Sequence, residues 1–200
     1  MQKTGPRHKQ CRRVGQALCG RPNCPANKRP YPPGQHGRGR KRLTEYHTRL
    51  VEKQKLRAIY HVGERAMRKY YDRASRRTGV TGVELLRQLE TRVDNLVLRL
   101  GYALTIRQAR QLVSHGHVKV AGRRVNVPSA QVRPGETIEM STAARNFIPV
   151  REAVQIQPDP PAYVSRNVSE FSGTLLRLPE RDEMPLPVEV EERLIVEHYS

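Results

Sequence analysis

The sequence predicts an α+β fold in which amphipathic helices lead into a short antiparallel sheet and a closing helix follows. Three observations carry that prediction. Between Leu43 and Ser114, apolar residues recur three and four positions apart in stretches bounded by glycines, the period of half-buried helices. From His117 to Met140 the pattern changes to alternation around glycine turns, the period of strands. The first 42 residues fit neither pattern, being rich in Arg, Lys, Pro and Gly.

Charge is distributed unevenly. The 200 residues carry a formal net charge of +18. Residues 1–77 hold 22 Lys and Arg against 4 Asp and Glu, residues 78–150 hold 10 against 5, and residues 151–200 hold 5 against 10. The first third therefore supplies the net charge, and a polyanionic partner is expected to neutralise it. No apolar run approaches the length of a membrane span, and none follows the basic N-terminus as in a signal peptide. The three cysteines all lie between Cys11 and Cys24. An odd count without a secretion signal argues for a reducing, cytoplasmic compartment and against disulfides.

Residues 1–42 form a basic, loop-rich extension with too little apolar surface to fold alone, so a metal, a partner or both must order it. His8, Cys11, Cys19 and Cys24 offer four ligands at spacings that fit a closed tetrahedral zinc site. The alternative is three free thiols, with His8 touching phosphate. Arg12 and Arg13 flank the first cysteine and would be held against phosphates. Next comes Arg29-Pro-Tyr-Pro-Pro-Gly-Gln-His-Gly37, stiffened by prolines and followed by the basic run Arg38 to Arg42. Tyr31 and His36 are aromatic groups able to stack on bases or sugars, with Arg29, Gln35 and Arg38 beside them. The plain alternative is a rigid linker.

Leu43 to Tyr60 reads as a helix capped by Thr44, with Leu50, Leu56 and Ile59 inward and Lys53, Lys55 and Arg57 on the surface. Glu64 to Arg77 is a second helix, with Met67, Tyr70, Tyr71 and Ala74 inward. Thr81 to Glu90 is a third and Arg92 to Leu100 a fourth. The fourth buries Val93, Leu96, Val97 and Leu100 and is expected to present Arg92, Asn95 and Arg99 outward, one-signed apart from Asp94.

The stretch Thr105 to Val125 is the most informative. Thr105 and Gln108 make a Thr-x-x-Gln capping box. Ile106, Ala109, Leu112 and Val113 form the buried stripe, and Arg107, Arg110, Gln111 and Ser114 share the opposite face. Gly116 suits the left-handed residue that ends a helix. Val118 and Val120 then alternate with His117 and Lys119, and Ala121-Gly122 turns the strand back. No Asp or Glu occurs from Arg107 to Arg133. Solvated faces usually mix charge signs, so a one-signed helix and strand with His115, His117 and Lys119 predicts a phosphate-binding surface. Beyond it, Arg133-Pro-Gly-Glu136 is a turn and Thr137 to Met140 a strand. Residues 142–180 are ambiguous, with Pro158, Pro160 and Pro161 breaking any helix. Leu186 to Ser200 is read as a closing helix with an acidic surface.

These stretches resemble one family. RPYPPGQHG at 29–37, EKQK at 52–55, GVTG at 79–82, LETRVDNLVLRLG at 89–101, RQARQLVSHGHVKVAGRRVNVPS at 107–129, VRPGE at 132–136 and LIVEHYS at 194–200 together look like the bacterial-type small-subunit ribosomal protein four. The resemblance implies an α+β architecture: a helical domain over 43–91 completed by 176–200, a small α/β RNA-binding domain inserted at 92–175, and the N-terminal extension over 1–42. It implies primary binding to the 5′ domain of 16S ribosomal RNA at a multi-helix junction. Nucleation of 30S assembly, contact with small-subunit ribosomal protein five and other 30S proteins, and an influence on decoding accuracy are also implied. Some members carry a four-cysteine zinc site, and here His8 stands where the first of those cysteines falls.

Two rival readings share the small domain: an RNA-modifying enzyme or its accessory, and a stress-related RNA binder. The first needs a sizeable catalytic domain, yet no paired carboxylates, Gly-rich phosphate loop or Ser/His/Asp set stands out. The His115-x-His117 pair fits phosphate donors better than metal ligands. The second rival has no use for the first hundred residues or the LIVEHYS tail. No small-molecule substrate is expected.

Overall fold

The computed structural model describes residues 8–39 and 44–200. The expected helix start at Leu43 and the Arg40, Lys41 and Arg42 part of the basic run lie outside the described residues. The chain divides into two compact units, residues 1–85 with 186–200, and residues 86–185. The division falls within one helix and after Pro185, whereas the sequence reading divides at 91/92 and 175/176.

The first unit opens with two short helices, α1 (Lys9–Val14) and α2 (Pro25–Lys28). They enclose a small apolar centre of Cys11, Leu18, Cys24 and Ala26. Gly15 ends α1 in the left-handed region at φ 81°, where a Cβ would sit 3.1 Å from the Pro30 carbonyl oxygen. That close approach lays the proline-rich segment against α1. Within that segment a Cβ on Gly37 would fall 1.9 Å from the Pro32 carbonyl oxygen, so only glycine lets the chain fold back there.

Helix α3 (Glu45–Ile59) is capped by Thr44 as the sequence predicts, with the Thr44 hydroxyl accepting from the His47 amide. Helix α4 (Glu64–Ala74) buries Met67, Tyr70 and Ala74, while Tyr71, expected inward, is half-buried. It stacks on Tyr199 instead, with ring centroids 4.9 Å apart. Helix α5 (Thr81–Glu90) leads into the second unit.

The second unit contains α6 (Val93–Arg99), α7 (Ile106–Ser114), β1 (Val118–Val120), β2 (Arg123–Val125), β3 (Thr137–Met140), α8 (Thr142–Arg145), α9 (Ile148–Ile156), β4 (Val164–Asn167) and β5 (Ser172–Leu175). The strands form one antiparallel five-stranded sheet in the order β2-β1-β3-β5-β4. Val93, Leu96 and Val97 of α6, Leu100 just after it, and Ala109, Leu112 and Val113 of α7 pack with Val118, Ile138 and Leu175 of the sheet. Gly173 makes this possible, since a Cβ there would meet Leu100 at 2.4 Å.

The ambiguous stretch 142–180 is thereby resolved into two helices and two strands. Ser141 caps α8 by accepting from the Ala144 amide. Helix α9 ends at Ile156, before the expected helix breakers Pro158, Pro160 and Pro161. A short closing helix, α10 (Glu192–Tyr199), returns to the first unit and packs along α3. Its start is six residues later than expected. No helix among the described residues is long and apolar enough to cross a membrane.

Candidate nucleic-acid interface and metal centre

The interface is built on the frame of α7 and the β1–β2 hairpin. Thr105 caps α7 by accepting from the Gln108 amide. The reciprocal half of the expected capping box is replaced: Gln108 Oε1 accepts from the Leu104 amide at 2.9 Å, and its Nε2 donates to the Pro149 carbonyl at 3.2 Å. Gln108 is therefore a brace between α7 and α9 rather than a free contact. At the other end Gly116 takes φ 72°, and the Arg124 guanidinium donates to the carbonyls of Gly116 (2.9 Å) and His115 (3.1 Å). These are helix-end carbonyls that would otherwise lack partners. A Cβ on Gly116 would lie 2.2 Å from that guanidinium. The Ala121-Gly122 turn has positive φ at both residues, 47° and 76°, the geometry of the two-residue hairpin turn.

This frame leaves Arg107, Gln111, Ser114, His115 and Lys119 exposed. Arg107, Gln111 and Lys119 have no ion pair or side-chain hydrogen bond among the described residues. Arg110 is half-buried, with its guanidinium 4.0 Å from the Asp94 carboxylate. His117 is half-buried, lying T-shaped to Phe147 at 4.9 Å with Nδ1 3.5 Å from the Ser141 hydroxyl. The face presents cationic, amide and imidazole groups to solvent, with Glu139 of β3 opposite Lys119 in the sheet register.

Helix α6 is a correction to the expected surface. Arg92 and Asn95 are buried, each 2% exposed, and Arg99 is largely covered. Arg92 chelates Asp94, donating from Nε at 2.8 Å and from Nη2 to the second oxygen. Glu90, fully buried, accepts from Asn95 Nδ2 (2.6 Å), from Arg99 Nε and Nη2 (3.0 and 2.7 Å) and from the Tyr163 hydroxyl (2.8 Å). Burial and the Glu90 charge push the Tyr163 phenol well above its usual range, so it stays a donor. Spacing along α6 could not reveal that the carboxylate lies at the end of the preceding helix and is shared with a tyrosine 73 residues away.

Helix α3 needs the same correction. Lys53, expected on the surface, is 6% exposed and donates to Glu64 at 3.2 Å and to His198 Nε2 at 2.8 Å. Lys55 is paired to Glu52 at 2.5 Å. Arg57 donates to Glu64 (2.7 Å), Gln54 (3.1 Å) and the Val62 carbonyl (3.3 Å). These cations hold the first unit together.

In the N-terminal segment Tyr31 lies between two guanidinium groups, 5.2 Å from Arg12 and 4.9 Å from Arg38. Arg38 also donates to its hydroxyl at 3.1 Å, and that bond holds the phenol below its usual range. The ring is thus used to fix cations rather than left open for a base. Arg13, Arg29, Gln35, His36 and Arg38 are exposed.

The ligand atoms of His8, Cys11, Cys19 and Cys24 all lie within 4.8 Å of one another. His8 Nδ1 is 3.6 Å from the Cys24 sulfur and 3.7 Å from that of Cys19. A tetrahedral ion with metal–sulfur and metal–nitrogen bonds of about 2.3 and 2.0 Å has an S···N edge of roughly 3.6 Å, so the spacing fits. Burial pushes the Cys11 thiol up to about 12, with Cys19 and Cys24 adding to the rise. Three thiols and an imidazole converging at this spacing make a set that could hold a metal ion.

An open, mainly cationic surface on a braced helix and hairpin has the chemistry expected of a nucleic-acid-binding face. Comparison with known proteins agrees. Residues 2–90 match the family model for the ribosomal protein S4/S9 N-terminal domain, and residues 91–138 match that for the S4 domain. Proteins called small ribosomal subunit protein uS4 are 48% identical in Dictyoglomus thermophilum and 50% identical in Geobacillus thermodenitrificans, each over 98% of both chains. The protein of that name in Thermus thermophilus is 45% identical over 98% of this chain and 97% of its own. The chain belongs to the family of small ribosomal subunit protein uS4, which is structural and non-enzymatic.

Proposed function

We propose that the protein is a structural constituent of the small ribosomal subunit in the cytoplasm, binding ribosomal RNA through the face of α7 and β1 and through the exposed cations of residues 8–39. Near-complete alignment with relatives named for that role carries the reading. Membership of a structural, non-enzymatic family also weighs against an enzyme sharing the small domain. The mainly cationic surface supports the RNA-binding role by supplying phosphate donors without ion pairs among the described residues, Arg107, Gln111 and Lys119. The finer reading is that the RNA is the 5′ domain of 16S ribosomal RNA. The protein would bind there early, nucleate the 30S body, touch ribosomal protein five and influence decoding accuracy. Co-sedimentation with 30S particles at moderate salt tests the role. Recovery of the protein only in the free fraction refutes it.

The metal cluster carries a zinc ion in this proposal. Zinc with three thiolates and one imidazole fills all four positions and supplies folding energy rather than catalysis. It fixes α1, and with it Arg12 against Tyr31. One zinc per chain is expected on metal analysis, lost on Cys19→Ser. Metal-free protein with full RNA affinity and a protease-resistant N-terminus would overturn it.

A further inference from the structure

Beside the cationic face of α7 lies an open groove of about 450 Å³. Its floor is apolar, formed by Leu112 of α7 and by Phe147, Pro149 and Val150 at the start of α9. Its rim is polar, formed by Gln111, His115 and Asn146. The volume falls within the roughly 300–1,000 Å³ of sites that hold small organic groups. Leu112 and Val150 are buried at its base, whereas the Phe147 ring (38% exposed) is open along one wall and Ile148 (70% exposed) stands at its lip.

The groove is held open by its own bonds. Gln108 ties the floor of α7 to the Pro149 carbonyl. His117 braces the Phe147 ring from the side at 4.9 Å. Arg151 donates to Asn146 Oδ1 at 2.8 Å and to the Arg145 carbonyl at 3.0 Å, which fixes the Asn146 amide with its nitrogen left to donate. The walls are therefore preformed, and an occupant would not have to order them.

The chemistry of the walls narrows the occupant. Apolar and aromatic surfaces suit a flat ring, and amide and imidazole groups at the rim suit donors and acceptors on its edge. No lining residue is acidic, and Arg107 and Lys119 lie on the same α7–β1 frame without carboxylate partners among the described residues. A phosphate alone would not use the floor. An apolar side chain from a protein would use neither the amides nor the neighbouring cations. We propose that this groove receives an unstacked base of the bound RNA, with Phe147 and Leu112 covering its face and Gln111, His115 and Asn146 reading its edge. The inference rests on the RNA-binding reading above. It gives the same face a second mode of contact, in which phosphates are held along α7 and one base is taken into the groove.

The test uses the full-length protein and a transcript of the 16S ribosomal RNA 5′ domain, with one arm carrying 4-thiouridine. Phe147→Ala should weaken binding by about tenfold, the scale of losing one stacked base. The slope of affinity against salt should stay unchanged, because the same number of phosphates remains bound. Gln111→Ala and Asn146→Ala should weaken binding several-fold. Because Gln111 and Asn146 are exposed, they decide the matter if Phe147→Ala fails to fold. Irradiation should cross-link the transcript to peptides containing His115 or Phe147. Wild-type protein that binds steeply and salt-dependently while all three variants match it would overturn the groove and leave RNA binding intact. Absence of wild-type binding would overturn the RNA-binding reading itself. Variants that bind naked RNA normally but fail to recruit a ribosomal protein would assign the groove to a protein side chain and overturn the inference.

Discussion

Arg92, Asn95 and Arg99 on α6 and Arg107, Arg110 and Gln111 on α7 are polar faces of nearly the same composition, a few residues apart in the chain. The first is locked inside the domain and the second stands open. The difference is not in the cations but in the carboxylates within reach. Asp94 and Glu90 take up every guanidinium on α6, whereas α7 and the β1–β2 hairpin carry no carboxylate of their own, and Glu139 of β3, opposite Lys119 in the sheet register, forms no ion pair with it among the described residues. Arg110 stands at the edge between the two faces, 4.0 Å from Asp94. A cationic helix face is thus a site or a strut according to where its counter-ions lie in the fold, and the periodicity of the helix alone is silent on that.

The largest effect expected from breaking this contrast comes from removing the buried anion. Glu90→Ala strands Arg99, Asn95 and the Tyr163 hydroxyl together in the core. Loss of one partner from a buried ion pair costs about 3–5 kcal/mol. Chemical denaturation should show a loss of that order, and RNA binding should fail only as folding fails. If Glu90→Ala is as stable as the parent, the α6 face is not a strut.

The mirror experiment is made on the open face. Arg107→Ala with Lys119→Ala removes two exposed cations that have no side-chain partner among the described residues. The melting temperature should stay nearly constant. Affinity for ribosomal RNA should fall, and the log–log salt slope should shrink by about 0.9 for each phosphate that is no longer bound. The intact protein should show a slope on the order of −5 or steeper. A double variant that keeps the parent slope would show that these side chains do not reach phosphate.

Legibility followed the same line. The cap at Thr105, the left-handed Gly116 and the Ala121-Gly122 turn are local features, and all three lie where the sequence puts them. The thiol–imidazole cluster was legible because its ligands are close in sequence. Strands β4 and β5 were not. Ser172 and Gly173 are poor strand formers, and β5 owes its place to pairing with β3 some 37 residues earlier. Asn146 and Phe147 were missed as groove residues because only the fold brings them beside α7. Arg124 caps α7 by reaching back across the hairpin to His115 and Gly116, a contact that spacing along β2 does not show. The strut role of Arg99 depends on Glu90, which belongs to another helix. Spacing shows which residues share a helix face, but the partner of that face is a tertiary fact.

Helix α3 extends the comparison with a smaller effect that acid can expose. Lys53 is clamped between Glu64 and His198, with the Tyr199 ring 5.4 Å away and Arg49 and Arg57 nearby. Burial alone would raise the Glu64 carboxyl. Hydrogen bonds from Tyr199 and Lys53 and the charges of Lys53 and Arg57 outweigh it and hold the group below the usual carboxylate range. Its contribution is therefore complete above the ordinary carboxylate pKa and is lost as pH falls through the lowered folded value. His198 is lowered by burial and then by the Lys53 ammonium, so it stays neutral in the fold and can accept from Lys53. The unfolded chain binds a proton at His198 near pH 6.5 while the folded chain still resists it. Stability therefore falls as pH drops below that value. Both groups act with the same sign, His198 first and Glu64 at lower pH. His198→Gln keeps an acceptor for Lys53 but removes the titration. Melting temperatures measured from pH 7.5 to 5.5 should decline for the parent and decline less for His198→Gln. Parallel profiles for the two proteins would mean that the imidazole takes up its proton equally readily in the folded and unfolded chain, and that burial and Lys53 do not hold it neutral in the fold.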